Sequence, residues 1–308
     1  MQEKKRTSKL IRIVVRALEA AKYVLPYYSN KFSKKDYTQH QLLAIAVLKQ
    51  KTDEDYRDVV DGIGNDLAEA IHLKKIPHFT TIQKFIMRIG SQVLDRLISV
   101  IALLVIGEEL IKGAKVGIDS SGYPASHASS YFVRRIKRKP THKTFLKGSF
   151  VGDLANQMII CCKLRNFPSH DIIDFKKLLE RALVILKKIQ EVHADKGYDG
   201  IDEILLVEKF LHAVPYIKIK DTENHKCKNR ARQRVLNNWS NIAFALRGRQ
   251  RNIIETINSV VKRVFGDALY SKGIWMRRKE LKLKYVAYNI YRSVQLEEIF
   301  CCFVFIVA

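Results

Sequence analysis

Three acidic residues, Asp119, Asp195 and Glu255, sit in settings suited to phosphoryl chemistry. Asp119 follows the apolar segment Lys115–Ile118 and opens Asp119-Ser120-Ser121-Gly122. Asp195 follows Glu191–Ala194 and opens Asp195-Lys196-Gly197-Tyr198, so each acid stands between a short predicted strand and a glycine-containing turn. Adjacent strand ends can bring two such carboxylates together, and like charges at close range need a cation between them. Hard oxygen ligands select Mg²⁺ or Mn²⁺ over zinc or copper. With Glu255 as a third acid, the set could hold two divalent ions. Such a pair activates a water or a 3′-hydroxyl on one side of a phosphodiester and stabilises the leaving oxygen on the other. For either aspartate alone, a turn or capping role explains the same position.

Glu255 lies in the stretch Arg251–Val264. At about 100° per residue, Ile253, Ile254, Ile257, Val260, Val261 and Val264 form one stripe of a helix. Arg251 is four residues before Glu255 and Lys262 seven after it, so all three point along one edge of the stripe, with Asn258 between them. A carboxylate flanked by two cations at the border of a core suits a metal ion beside a phosphate chain. An exposed ladder of ion pairs is the competing reading of the same spacing.

Composition narrows the partner. The 308 residues hold 55 Lys plus Arg against 31 Asp plus Glu, a formal charge of 55 − 31 = +24. That balance points to a polyanion, nucleic acid before membrane, because Lys and Arg release counterions condensed on phosphates. Three basic runs, Arg134 to Lys139, Lys226 to Arg234 and Arg277 to Lys284, read as lining a nucleic-acid track. An apolar fraction of 47% excludes a disordered basic tail. The five cysteines lack the C-x-x-C spacing of a zinc site and read as reduced structural thiols of a cytoplasmic protein. Two apolar runs, Leu97 to Ile106 and Ile299 to Ala308, are ten residues each, about half a membrane span. The expectation is a soluble intracellular chain with no membrane partner.

The elements that position these residues fall into two blocks. Helices are predicted over Lys9–Val24 and Tyr37–Lys51, then from Thr52-Asp53-Glu54-Asp55 to Gly62. A long helix opens at Pro77-His78-Phe79-Thr80-Thr81 and carries Ile82 through Leu97. Short helices and tight turns, with Thr80, Thr81, Gln83, Lys84 and Arg88 near the start of the last, fit a helix-turn-helix reader of DNA. They fit a plain helical bundle as well. After Gly113, strands are predicted at Lys115–Ile118 and Ser130–Arg135, then a hairpin of Phe145–Val151 and Met158–Leu164 about Gly152-Asp153. A helix (Ile172–Ile189), a strand (Glu191–Ala194), a helix (Ile201–Phe210) and a strand (Ala213–Ile219) come next. A basic linker, Lys220–Arg234, leads to the Glu255 helix and a basic tail. Strands first, then alternation, predict a mixed α/β domain with a central sheet. The expected domains are residues 1–110, 111–295 and an apolar C-terminal tail at 296–308.

Three segments carry a resemblance. Ile118-Asp119-Ser120-Ser121-Gly122, Ala194-Asp195-Lys196-Gly197-Tyr198-Asp199 and Arg251-x₃-Glu255-x₆-Lys262 resemble the catalytic motifs of the DDE transposases of bacterial and archaeal insertion sequences. The spacings, 195 − 119 = 76 and 255 − 195 = 60, suit compact members with no domain inserted before the glutamate. Tyr37–Leu42 and Ile76–Ile82 look like that family's N-terminal region, so the resemblance spans residues 36 to 292 or so. It implies an RNase H-like catalytic domain, a central mixed sheet flanked by helices, behind an all-α, helix-turn-helix-like domain that binds DNA ends. It implies hydrolysis at transposon ends with two Mg²⁺ (or Mn²⁺) ions held by Asp119, Asp195 and Glu255, then transfer of the freed 3′-hydroxyl to target DNA. Arg251 and Lys262 would grip phosphates near the cut, joined by Lys196 and Asn258, with Thr80, Thr81, Gln83, Lys84 and Arg88 on the end-reading helix. The implied partner is double-stranded DNA, both terminal inverted repeats and target, met by a homodimer because two ends must be joined. One departure stands out: the family's third motif often has a tyrosine three residues before the arginine, and this chain has Gly248.

Two other classes stay open on sequence alone. A non-catalytic DNA-binding protein, either a regulator or an inactive descendant, would leave the three acids and spaced cations unexplained. Another RNase H-like nuclease would share the metal site and would not need the end-reading helices.

Overall fold

A computed structural model describes residues 2–107, 113–124, 145–166, 169–220 and 229–307, with side chains within 9–297. The strand predicted at Ser130–Arg135, the basic run Arg134–Lys139 and the first part of the run Lys226–Arg234 lie outside these residues. In chain order the helices and strands are α1 (Gln2–Lys22), α2 (Gln39–Thr52), α3 (Tyr56–Asp61), α4 (Asn65–Ala70), α5 (Phe79–Arg88), α6 (Ser91–Ile106), β1 (Ala114–Pro124), β2 (Phe145–Asp153), β3 (Met158–Arg165), α7 (Phe175–Leu186), β4 (Ile189–Ala194), α8 (Ile201–Leu205), β5 (Val214–Ile217), α9 (Arg230–Trp239), α10 (Ile242–Gly248), α11 (Arg251–Phe265) and α12 (Ile274–Val307). The chain divides into two compact units, residues 1–102 with 261–267 and 271–308, and residues 103–260 with 268–270. The expected catalytic domain ran to residue 295; by compactness, most residues after Val260 group with the N-terminal helices.

The helical unit is organised on α2. Its residues Leu42 to Leu48 are all buried, the pattern of a helix enclosed by others, and α1 and α12 pack against it. Thr38 and Gln41 close a capping box at its start, worth about 1 kcal/mol. The single long helix expected from Phe79 to Leu97 is in fact two, α5 and α6, bent by 91°. Ile89 takes an extended conformation at the break, and Gly90 comes directly after it. Apolar spacing continues through both helices, with Ile82, Phe85 and Ile86 buried before the bend and Leu94, Leu97 and Ile98 after it. Periodicity alone therefore cannot see the turn. Among the described residues, no single helix is long and apolar enough to cross a membrane.

The expected basic tail is helical. Its run Arg277–Lys284 does not form an exposed track either, since Lys282 and Lys284 are buried. Lys279 donates to the carbonyl of Met87 at 2.6 Å, at the C-terminal end of α5 where helix carbonyls lack partners. Lys282 pairs with Asp95 at 2.7 Å, and Lys284 donates to the Gly266 carbonyl at 2.9 Å. These lysines hold helices together inside the unit.

The second unit is built on a five-stranded sheet of order β3-β2-β1-β4-β5. β2 runs antiparallel to both of its neighbours, β1 and β3, and β4 and β5 run parallel to β1. This is the mixed sheet flanked by helices that the sequence predicts, with the strand arrangement of an RNase H-like domain. The β2–β3 hairpin turns later than expected, because Gly152 and Asp153 still pair with β3. The Asp153 carboxylate then accepts from the Asn156 backbone at 2.7 Å and closes the turn. The expected linker Lys220–Arg234 ends inside a helix, since α9 begins at Arg230, and α10 follows it before α11; residues 221–228 lie outside the described ones. Only Ala231 and Val235 of α9 are buried, so its basic surface hides the periodicity.

Candidate active site

The parallel ladder between β1 and β4 ends at the pair Ile118↔Ala194. Asp119 and Asp195 are the next residues along two neighbouring strands, whose backbones lie about 4.8 Å apart. Asp119 does not open a turn as expected. It lies inside β1, paired with Phe150, because the β2 ladder continues to Pro124 after the β4 ladder has stopped.

Bare backbone sets how the third acid reaches these two. Gly117 and Gly152 are register partners across β1 and β2. A Cβ on Gly117 would lie 3.1 Å from Ile254 Cβ, and one on Gly152 would lie 2.7 Å from Ile254 Cδ1. α11 therefore rests on a patch without side chains, its Ile254 and Ile257 buried there. Gly117 and Asp119 share a face of β1, and Asn258 is one turn beyond Ile254, so the helix carries Asn258 onto Asp119. Asn258 Nδ2 donates to Asp119 Oδ2 at 2.6 Å.

Glu255 stays exposed on the outer side of the helix. Arg251, one turn before it, reaches Glu255 Oε1 at 3.4 Å and also makes a close ion pair with Asp195 Oδ1. One guanidinium thus bridges two of the three acids. Burial pushes the Asp119 carboxyl above the ordinary carboxylate range; the charges of Asp171 and Glu255 add to this, while the Ser120 backbone N–H and Asn258 oppose it. Among the described residues, no three His, Cys, Asp or Glu side chains converge on one point as a bound metal would require. The donor chemistry nonetheless fits a hard divalent cation. All three acids offer carboxylate oxygens, and Arg251 already supplies positive charge between two of them.

The opposite face of the sheet carries a second polar group that sequence reasoning did not find. Asp171 opens the 3₁₀ turn Asp171–Asp174 before α7 and accepts from Ser120 Oγ. Lys147 of β2 is buried and pairs with Asp171 at 2.5 Å. Tyr198 packs its ring on Phe175 beside them, and burial together with the charges of Asp171 and Asp119 raises its phenol well above the usual range. Asp199 anchors the turn that follows Asp195 by accepting from both Arg232 Nε, at 2.9 Å, and Arg232 Nη2, at 2.6 Å.

Gly248 has a packing explanation. The Trp239 ring lies where its side chain would be, with Cη2 only 2.2 Å from an ideal Cβ. The indole N–H donates to the Ile217 carbonyl at 3.0 Å, which fixes α9 against β5. A tyrosine at 248 and this tryptophan exclude each other.

The remaining expected residues spread more widely. Lys196 is exposed beside Asp195. Asn258, expected among DNA contacts, is buried against Asp119 instead. Lys262 is half-buried farther along α11, past Val260 where the helix leaves the sheet unit. On α5 of the helical unit, Gln83, Lys84 and Arg88 are exposed and Thr80 and Thr81 half-exposed. The Thr80 hydroxyl is engaged with His78 Nδ1 at 2.8 Å in the helix cap. Thr81 and Arg88 line a cleft of about 750 Å³ with Asn30, Ser33 and Lys34.

A family model described as a transposase DDE domain matches residues 115–290, more than half of the chain. No curated protein matches it.

Proposed function

The chain belongs to the family of transposases with a DDE domain, and from that premise we propose that it binds the ends of an insertion sequence, cuts there and transfers the freed 3′-hydroxyl to target DNA. Asp119, Asp195 and Glu255 are the metal-holding acids in this reading. The observation that carries it is the register: two aspartates at the end of one parallel ladder, with a glutamate beside them on a helix seated by paired glycines.

Enzymes of this family use divalent metal ions. Two Mg²⁺ or Mn²⁺ ions held by the three acids would activate the attacking oxygen and neutralise charge on the leaving one. The chain's own residues prepare that chemistry. Asn258 fixes the Asp119 carboxylate in one orientation by donating to Oδ2. Arg251 balances Asp195 and Glu255 before DNA arrives, and in this reading it turns toward a phosphate when metal ions take its place. Lys196 and Lys262 add attraction for the DNA backbone. Residues 1–110 bind the ends through the exposed side of α5, residues 111–295 carry out the chemistry, and the protein works as a homodimer so that two ends are joined together.

The test is to incubate the purified protein with a duplex carrying the DNA that flanks its own gene, with Mg²⁺ or with EDTA, beside Asp119→Asn. Metal-dependent cutting at a repeat boundary, lost in the variant, is expected. End binding without cutting would reduce the reading to a DNA-binding protein. Neither activity would turn attention to branched DNA and RNA–DNA hybrids.

A further inference from the structure

We infer that Asp171 is a positioning residue for the metal-holding acids, bracing the ends of β1 and of the Asp195 turn from behind the sheet; the inference rests on the function proposed above. Ser120 is the link. Its backbone N–H donates to the Asp119 carboxylate on one face, and its Oγ donates to Asp171 on the other. Consecutive residues of a strand point to opposite faces, so a pull on the Ser120 side chain sets the pitch of Asp119.

Asp171 also touches the second acid's turn. Its Oδ2 lies 3.2 Å from where a Cβ on Gly197 would stand, two residues after Asp195. Glycine at that position lets the carboxylate approach the turn. The brace is itself held in place: Lys147, buried, pairs with Asp171 and donates to the Ser169 carbonyl just before it. One carboxylate thus meets the strand that bears Asp119, the turn that bears Asp195 and a buried cation. Groups that orient metal ligands without touching the metal alter its affinity or the activity about 10- to 100-fold when removed.

A plainer role exists for Asp171, neutralising Lys147, and the experiment separates the two. Mn²⁺ binding to the DNA-free protein is measured by electron paramagnetic resonance for wild type, Asp171→Asn, Ser120→Ala and the double variant, alongside melting temperature and end cleavage. Expected are Mn²⁺ affinity weakened about 10-fold in Asp171→Asn and several-fold in Ser120→Ala, with end binding unchanged. The double variant is expected to lose no more than Asp171→Asn alone, since both act along one path. If wild type binds Mn²⁺ and Asp171→Asn binds it equally well, the inference is overturned, whatever happens to melting. If Asp171→Asn fails to fold, Ser120→Ala, which keeps the Asp171–Lys147 pair, decides in the same way. Wild type that binds Mn²⁺ and never cuts DNA would sink the proposed function, while the Mn²⁺ comparison would still test the brace.

Discussion

Asn258 donates its side-chain N–H to Asp119 at 2.6 Å, across 139 positions of sequence. A hydrogen bond to a charged group is worth about 1.5–3 kcal/mol, or one to two powers of ten in rate if it acts on the transition state. Asn258→Ala is therefore expected to slow end cleavage about 10- to 100-fold while end affinity stays within about threefold. Were Asn258 a phosphate contact, affinity and its salt dependence would fall instead. Cleavage rates and binding titrations on the same duplex distinguish the outcomes.

Arg251 pairs with both Asp195 and Glu255, so in the proposed reading it competes with a metal ion for them. Both carboxylates are more than half exposed, so the pairs' contribution to folding stability is small, about 0–1 kcal/mol. Their effect on a bound cation has a definite sign. Removing the guanidinium leaves two carboxylates without a counter-charge, so Arg251→Gln is expected to bind Mn²⁺ several-fold more tightly in the absence of DNA. The same variant is expected to bind DNA more weakly. Calorimetric titration with Mn²⁺ checks this, and weaker Mn²⁺ binding would contradict the competition.

Glu255 and Lys262 share a helix and are expected to fail differently. With Glu255 as a metal-holding acid in the proposed reading, Glu255→Gln removes a ligand charge and leaves the phosphate contacts in place, so cutting is expected to be lost while end binding remains. Lys262→Ala is expected to weaken binding to all duplexes and reduce the slope of log affinity against log salt by about 1. Loss of end binding in Glu255→Gln with retained cutting would reverse the assignment.

Much of this arrangement can be read from residue order, and the remainder depends on features that one strand or helix does not carry. Asp119, Asp195 and Glu255 are readable because each sits beside a local signature: an apolar strand, a glycine turn, an apolar stripe. The seat of α11 is less so, because Gly117 and Gly152 matter only as register partners. Asp171 and Ser120 are 51 residues apart and meet only because the segment before α7 folds behind β1. The lysines of α12 that hold helices together read as surface charge since nothing local announces the carbonyls and the Asp95 carboxylate that receive them. Strand pairing set the extent of β1, overriding the turn chemistry of Ser120-Ser121-Gly122.

Gly248 tests whether a departure from the family's third motif is compensated within the fold. Any side chain there meets the Trp239 ring. Gly248→Ala is expected to destabilise by about 1–3 kcal/mol through overpacking. Gly248→Tyr is expected to be worse alone, and to recover part of the loss when combined with Trp239→Ala, which vacates the space. Urea midpoints of the single and double variants measure the coupling. Simple additivity would show that the tryptophan and the glycine do not depend on each other.

Asp174 gives the sheet unit a pH-dependent tie between β3 and α7. Its carboxylate is nearly fully buried, which pushes it upward. The two-point hydrogen bond from Arg165, at 2.8 and 2.7 Å, and the Lys163 ammonium at 3.3 Å outweigh this and hold it below the usual range. A depressed folded-state value stabilises the fold above the unfolded value, about 3.9 for an aspartate, and the gain disappears as pH falls through the lower folded value. Asp174→Asn is therefore expected to destabilise by about 1.5–3 kcal/mol near neutral pH, where Arg165 loses a charged partner. The gap between variant and wild type should stay open down to about pH 4 and close below it. Urea midpoints collected from about pH 7 to about pH 3 measure it, and a gap that stays constant across that range would show that shape at residue 174, and not its charge, holds α7 to the sheet.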